Sequence, residues 1–339
     1  MRVLVVIPSV ADRQPASACR PRRDYNALCE ALRAAGAQVE LFDFQAAGVK
    51  GDLKLALAAR ARRQNYDAIY VNAESLGVPL ALLSRGDKYR PRLVCVGHRL
   101  LTGRKKLFFR VLKAHKNMDR LLVYASTQEA FATTALGIEP ERVERIQFHA
   151  DTRFFYPLPE ITPDKHQVCA VGREGRDYAT LFTAMEGLTE FTLQLTSASP
   201  WSKSVDTSQQ RSIPANVTCA KTPYSDEGLR ELYARSACVA VPLYATDFQA
   251  GITTILEAMA MGRPVIATRT SGLSDVLWHE ENCLTVAPGN VKGWQEAIQR
   301  LHADPVLAIR LGIRGRRWVE ENATLDRWVA RVAQGLLEK

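Results

Sequence analysis

Short runs of β-branched and aliphatic residues alternate with helical patterns along most of the chain. Continuous apolar strands separated by helices are typical of a parallel sheet that helices cover on both faces. The predicted strands of the first half are Val3–Ile7, Val39–Phe42, Ala68–Val71, Leu93–Val96, Leu121–Tyr124 and Val143–Phe148. Those of the second half are Val168–Val171, Thr192–Leu195, Val217–Ala220, Val239–Pro242, Val265–Thr268 and Leu284–Val286. The sequence therefore predicts an α/β protein with two doubly wound, Rossmann-like domains.

A proline-rich segment separates the two halves. Pro157, Pro159 and Pro163 lie close together, and proline disfavours both helices and internal strands. We therefore expect an N-terminal domain over residues 1–157, a C-terminal domain over 164–322 and a final helical segment over 323–339. A length of 339 residues agrees with two domains of ordinary size.

The charge balance favours an anionic partner. Lys and Arg number 45 against 36 Asp and Glu, which gives a net charge of +9. Phosphate-bearing small molecules, nucleic acids and anionic membranes would all suit that surplus, and no recognised nucleic-acid motif accompanies it. We therefore expect no nucleic-acid partner.

Cysteine usage predicts neither disulfides nor a metal. The seven cysteines are odd in number, and no pair has metal-ligand spacing. The apolar run near the N-terminus is too short for a signal peptide, and no run of about eighteen apolar residues occurs. We therefore expect reduced thiols, no metal, no membrane span and a cytoplasmic protein.

The segment 239–266 predicts an anion-binding helix between two strands. Because glycine adds little bulk at the start of a helix, the N–H groups of Gly251, Ile252 and Thr253 can face an anion such as a diphosphate. Glu257 follows among apolar neighbours, where a carboxylate needs a hydrogen-bonding partner. Ligand hydroxyls and a protein group are both candidates for that partner.

The run Glu257-Ala258-Met259-Ala260-Met261-Gly262-Arg263-Pro264-Val265 resembles the C-terminal signature of family 4 glycosyltransferases. These are retaining enzymes of GT-B architecture, in which two Rossmann-like domains face each other across a cleft. The resemblance implies that residues 1–157 bind the acceptor, that residues 164–322 bind a nucleotide sugar, and that the last helix crosses back to the first domain. It also implies that Glu257 holds the ribose hydroxyls.

Gln249 departs from the family pattern, which has a glutamate eight positions before Glu257. Glutamine keeps the hydrogen-bonding capacity but loses the charge, so Gln249 is a candidate contact for the donor sugar and not a base. The alternatives are a loop residue without ligand contact and an enzyme weakened by the change.

A second motif, Gly172-Arg173-Glu174-Gly175-Arg176, follows the first strand of the second half. It resembles the family's Gly-Arg segment, whose Arg and later Lys grip the donor diphosphate, with Arg176 in the place of the Lys. Two guanidinium groups could neutralise a departing diphosphate without a metal. Alone, a Gly-Arg pair is a weak signal, since surface arginines are common.

His98 ends a buried strand of the first half and resembles the family's histidine that supports the reacting sugar. The alternative is a structural hydrogen bond at the strand end. The loop after the first strand lacks the family's paired glycines, and its arginines favour an anionic acceptor. They are Arg13, Arg20, Arg22 and Arg23.

Residues 104–116 are basic and amphipathic, with aromatic residues beside the charges. Such a helix could dock on a membrane surface. We favour the alternative, an amphipathic helix with its apolar face on the core.

These motifs together predict a metal-independent, retaining hexosyltransferase with no cofactor besides its nucleoside-diphosphate-sugar donor. The predicted acceptor is a small molecule or a lipid-linked molecule. Two alternatives stay open: a nucleotide-sugar epimerase on the same fold, which Gln249 weakly disfavours, and a donor-binding partner protein with little activity.

Overall fold

A computed structural model describes residues 1–101, 107–197, 212–220 and 222–338. The chain divides into two compact units. The first comprises Met1–Ala16, Arg22–Gln147 and Asp326–Lys339, and the second comprises Ser17–Pro21 and Phe148–Leu325. The main change of unit therefore precedes the proline-rich segment.

The first unit contains a parallel sheet of six strands in the order β2-β1-β3-β4-β5-β6. Its strands are β1 (Arg2–Val6), β2 (Gln38–Phe42), β3 (Ala68–Val71), β4 (Arg92–Gly97), β5 (Arg120–Val123) and β6 (Val143–Arg145). All four residues of β3 are buried, as expected for a central strand with both faces covered.

Helices flank this sheet. They are α1 (Asp24–Ala34), α2 (Phe44–Ala47), α3 (Asp52–Arg62), α4 (Glu74–Leu83), α5 (Ser126–Ala130) and, from the end of the chain, α11 (Leu325–Leu337). Within the unit, α11 is fixed by buried Trp328, whose Nε1 donates to the Tyr124 hydroxyl at 3.2 Å. Arg92 Nε also donates to the Gly335 carbonyl at 2.8 Å.

The second unit repeats the scheme with the strand order β12-β11-β10-β7-β8-β9, again all parallel. Its strands are β7 (Asp164–Val171), β8 (Thr192–Thr196), β9 (Val217–Cys219), β10 (Ser236–Val241), β11 (Val265–Thr268) and β12 (Leu284–Val286). Its helices are α6 (Tyr178–Glu186), α7 (Asp226–Arg235), α8 (Ile252–Ala260), α9 (Val291–Ala303) and α10 (Pro305–Asn322).

The predicted fold class is confirmed, and each predicted strand is present with small differences at its ends. Apolar side chains on both faces of the second sheet form two clusters, one around Ile255 and Met259 and the other around Phe182 and Trp294. Among the described residues, no helix has the length and apolar character needed to span a bilayer.

The predicted helix over 104–116 is wrong in the part that the structure describes. Residues 104–106 lie outside the described residues, and the rest forms two short turns, Leu107–Val111 and Ala114–Asn117, separated by Lys113 in the left-handed region at φ 51°. The apolar face packs on the core only in part: Phe109 and Ala114 are buried in the core, whereas four large side chains are exposed. They are Leu107, Phe108, Val111 and Leu112.

Candidate donor-binding site

The loop after β7 turns back on itself, so that the Arg176 side chain lies beneath the loop's own backbone. Gly172 has φ 100°, and a Cβ there would lie 2.5 Å from Arg176 Nη2. Any side chain at position 172 would therefore displace the guanidinium. The Tyr178 hydroxyl also donates to the Gly172 carbonyl.

The Arg176 guanidinium is buried and bonded mostly to backbone carbonyls. Its Nε and Nη2 donate to Val171 O at 3.0 and 2.8 Å, and Nη1 donates to Glu174 O at 3.0 Å. Nη2 also donates to the Thr254 hydroxyl at 3.1 Å. Burial lowers the pKa of Arg176, but arginine stays protonated at neutral pH. A full positive charge is thus held inside the second unit.

Helix α8 begins directly above this charge. Gly251, its N-cap residue, has φ 77°, and a Cβ there would meet Val241 Cγ1 at 2.8 Å and Arg176 Nη1 at 3.0 Å. In the described part of the chain, the Gly251 and Thr253 amides have no hydrogen-bond acceptor, as predicted. The Ile252 amide differs from the prediction, since it donates to Gln249 O at 3.3 Å.

Backbone hydrogen bonds join the two loops at this edge of the sheet. Tyr244 N donates to Gly175 O at 3.0 Å, and Asp177 N donates to Pro242 O at 3.1 Å. Positive potential from the helix dipole and from Arg176 therefore adds up at the start of α8. This arrangement suits an anion better than a neutral ligand.

Arg173 and Gln249 belong to the same two loops. Arg173 is half-buried, and its Nε has no hydrogen-bond partner among the residues that the structure describes. Gln249 is 8% exposed, two residues before the start of α8. The structure thus assigns the two predicted arginines different surroundings: Arg176 is fixed in the protein, whereas Arg173 has a donor to spare.

Glu257 lies on the second turn of α8 and is half-buried. Its Oε2 accepts a hydrogen bond from the Tyr233 hydroxyl at 3.0 Å. Burial and the Glu257 charge raise the pKa of Tyr233, so this hydroxyl remains a donor. The bond from Tyr233 leaves room for a ligand, because a carboxylate can accept hydrogen bonds from Tyr233 and from ligand hydroxyls at once.

In the first unit, His98 follows β4 and is held by several bonds. Its amide donates to Glu74 Oε2 at 2.8 Å, and its carbonyl accepts from Gln128 Nε2 at 2.7 Å. Its ring Nε2 lies 3.0 Å from Asn72 O. Because a carbonyl only accepts, Nε2 carries the proton in this arrangement, and the structural hydrogen bond considered for His98 is present.

Ion pairs hold three of the four arginines after β1 that suggested an anionic acceptor. Arg13 pairs with Asp43 at 3.0 Å and Arg23 with Asp12 at 3.5 Å. Arg22 pairs with an aspartate on α11 at 2.7 Å. Carboxylates of the first unit therefore offset three of the four charges.

Residues 166–304 match the family described as glycosyl transferases group 1. All of the matched residues lie within the second unit. This match confirms the family resemblance inferred from the motifs, and it includes the Arg176 loop and helix α8.

Relatives and solved structures extend the comparison. D-inositol 3-phosphate glycosyltransferase of Rhodococcus opacus (strain B4) is 34% identical over 126 residues, which are 37% of this chain and 26% of that protein. The chain thus spans about a quarter of the length of the relatives that it matches first.

Two solved structures share the fold over nearly the whole chain. Sucrose-phosphate synthase from Thermosynechococcus elongatus has a TM-score of 0.75 at 21% identity, covering 98% of each chain. Anabaena HepE in complex with UDP-glucose has a TM-score of 0.73 at 16% identity, covering 98% of this chain and 99% of that one. Both agree with the GT-B fold class expected from the sequence.

Sequence reasoning missed the polar partners that hold this site. Thr254 bonds to Arg176, and its position in the first turn of α8 could have indicated it. Tyr233 and Tyr178, which bond to Glu257 and to the Gly172 carbonyl, carried no comparable signal. Their roles depend on which residues the fold brings together.

Proposed function

We propose that this protein is a retaining glycosyltransferase that moves a hexose from a nucleoside-diphosphate sugar to an acceptor without a metal. The observation that carries the proposal is the start of helix α8. There the unpaired Gly251 and Thr253 amides stand over the buried Arg176 guanidinium. A diphosphate is the ligand of a nucleotide sugar that such a site fits best.

Arg173 and Arg176 act differently on that diphosphate. Arg173, with its spare Nε–H, contacts the phosphates directly. Arg176 supplies a fixed charge behind the helix start, because its side chain is already bonded to Val171 and Glu174 carbonyls. A preorganised charge needs no reorganisation when the leaving group becomes more negative, so it stabilises the transition state.

The remaining predicted residues hold the nucleoside and the sugar. Glu257 accepts hydrogen bonds from the ribose hydroxyls with Tyr233 fixing its orientation, and Gln249 bonds to a donor-sugar hydroxyl. Gly172 keeps space for the Arg176 guanidinium. His98 donates from Nε2 to Asn72 and leaves Nδ1 for a contact with the reacting sugar.

The departing phosphate takes the proton of the acceptor hydroxyl. That route needs neither a protein base nor a covalent protein nucleophile, which agrees with an amide at position 249. The bond from the anomeric carbon to the phosphate oxygen breaks as the bond to the acceptor oxygen forms on the same face. The negative charge of the leaving diphosphate is balanced by the two arginines and the α8 amides.

We place the acceptor in the first unit and infer that it has an apolar part. A shallow, mostly apolar cavity of about 410 Å³ lies there, lined by Val10, Phe44, Gln45, Val49 and Lys50. A lipid-linked acceptor, or a small molecule with an alkyl or aryl group, fits this lining better than a bare sugar.

The donor is tested by thermal denaturation with a panel of nucleoside-diphosphate sugars. A ligand present at one hundred times its Kd stabilises the folded state by ~2.7 kcal/mol, which raises Tm measurably. We expect Arg173→Ala to abolish the shift. Arg235→Ala, which removes an exposed arginine paired with Glu231 on α7, should leave it unchanged.

Product analysis separates the proposal from its two alternatives. NMR of the anomeric proton after incubation with donor and acceptor should show a new glycoside with the donor's configuration. Conversion of the donor sugar without acceptor would support an epimerase. Binding without turnover that Gln249→Glu restores would support a weakened enzyme, and stabilisation by no nucleotide sugar would contradict the proposal.

A further inference from the structure

Helix α10 carries an apolar stripe on its solvent side. Val306, Ile309 and Ile313 are 77%, 63% and 62% exposed. Their spacing of three and four residues places them on one face, opposite the buried Leu307 and Leu311. Single exposed apolar residues are ordinary, but a continuous stripe of three large ones marks an interaction surface.

Unpaired arginines border this stripe. Arg310 and Arg314 are exposed, each one residue after an isoleucine of the stripe. In the ranges of the chain that the structure describes, neither forms an ion pair. Arg310 acts electrostatically on Glu280, which Arg300 already binds at 2.5 Å. Two positive charges beside the stripe are therefore available to a partner.

Acidic residues of α10 do not cancel these charges. They lie at the end of the helix, where Glu320 pairs with Arg316 at 2.6 Å and Glu321 with Arg317 at 2.8 Å. Both pairs are internal to the helix at i and i+4 and are neutral overall. The positive and apolar character is thus concentrated in the first two-thirds of α10.

We infer that the α10 face, defined by Val306, Ile309, Ile313, Arg310 and Arg314, docks on an anionic lipid surface. Aliphatic side chains enter the boundary between headgroups and acyl chains, and the arginines bind lipid phosphates. A second copy of the chain fits less well, because two such faces would bring their unpaired arginines together. The inference does not depend on the proposed reaction.

Vesicle co-sedimentation tests the surface. Purified protein is mixed with phosphatidylcholine vesicles, with and without phosphatidylglycerol, and the bound fraction is measured. We expect binding to the anionic vesicles alone. Arg310→Gln with Arg314→Gln should weaken it about 25-fold, since each arginine contributes about fivefold near an anionic surface. Ile309→Gln with Ile313→Gln should weaken it at least tenfold.

The matched control lies in the other unit. Leu53→Gln with Leu57→Gln on α3 also removes two exposed apolar residues four positions apart, and should leave binding within twofold. The inference is overturned if the wild-type protein binds neither vesicle or both equally, or if the α10 variants bind like the wild type. It is also overturned if light scattering shows a dimer that the isoleucine variants dissociate.

Discussion

The glycines at the two ends of helix α8 provide a sharp test of the packing at the proposed diphosphate site. Gly251 and Gly262 both have left-handed backbones, with φ 77° and 68°. Alanine at either position pays a similar backbone strain of about 1–2 kcal/mol. A comparison of Gly251→Ala with Gly262→Ala therefore isolates the effect of what the new Cβ would touch.

The expected difference follows from the surroundings of each Cβ. At position 262 the nearest atom would be Pro157 Cγ at 3.6 Å, an ordinary contact. At position 251 it would be Val241 Cγ1 at 2.8 Å, with Arg176 Nη1 at 3.0 Å. Overpacking of this kind costs about 1–3 kcal/mol. We expect Gly262→Ala to lower the free energy of unfolding by about 1–2 kcal/mol and Gly251→Ala by about 2–5 kcal/mol.

Urea unfolding followed by circular dichroism measures both values, with the m-value checked for constancy. Nucleotide-sugar binding should weaken in Gly251→Ala, because the new Cβ would displace Arg176 and the first amides of α8. Binding should persist in Gly262→Ala. If Gly251→Ala were no less stable than Gly262→Ala, the Arg176 guanidinium could not lie beneath Gly251, and the proposed site would lose its fixed charge.

Three further outcomes are expected. Arg176→Lys should lower the unfolding free energy by about 2–4 kcal/mol in the same urea assay, since one ammonium cannot satisfy all the acceptors of the guanidinium. Burial raises the pKa of Asp43, but hydrogen bonds, led by the Ala46 amide, outweigh it and the pKa is lowered. Its stabilisation is therefore present above pH 3.8 and lost as the pH falls further, so Asp43→Asn should flatten the acid limb of a stability–pH curve. A thiol reagent at pH 8 should modify exposed Cys19 first by mass spectrometry, whereas burial raises the pKa of Cys169 to about 12 and protects it.

Strand positions could be predicted from the sequence because apolar runs report burial directly. Central strands such as β3 and β11 are buried on both faces and are mostly apolar. The start of α8 was also readable, since Gly251 combines a helix start with a backbone that other residues avoid. Local signals were sufficient in these places.

Contacts between distant residues could not be predicted in the same way. Nothing near Arg176 in the sequence indicates that its guanidinium bonds to Thr254, 78 residues away. The arginines after β1 suggested an anionic ligand because their carboxylate partners, such as Asp43, are remote in sequence. The composition of residues 107–116 likewise could not tell whether a core surface was present to receive Leu107 and Val111.

The return of helix α11 to the first unit has a consequence for how the chain folds during synthesis. Trp328, which packs edge-on against Tyr70 at 6.4 Å, leaves the ribosome only after the whole second unit. The first sheet therefore emerges early but lacks one of its covering helices until Leu325–Leu337 has been synthesised. In the meantime the surface that Trp328 will cover is open to chaperones and to aggregation.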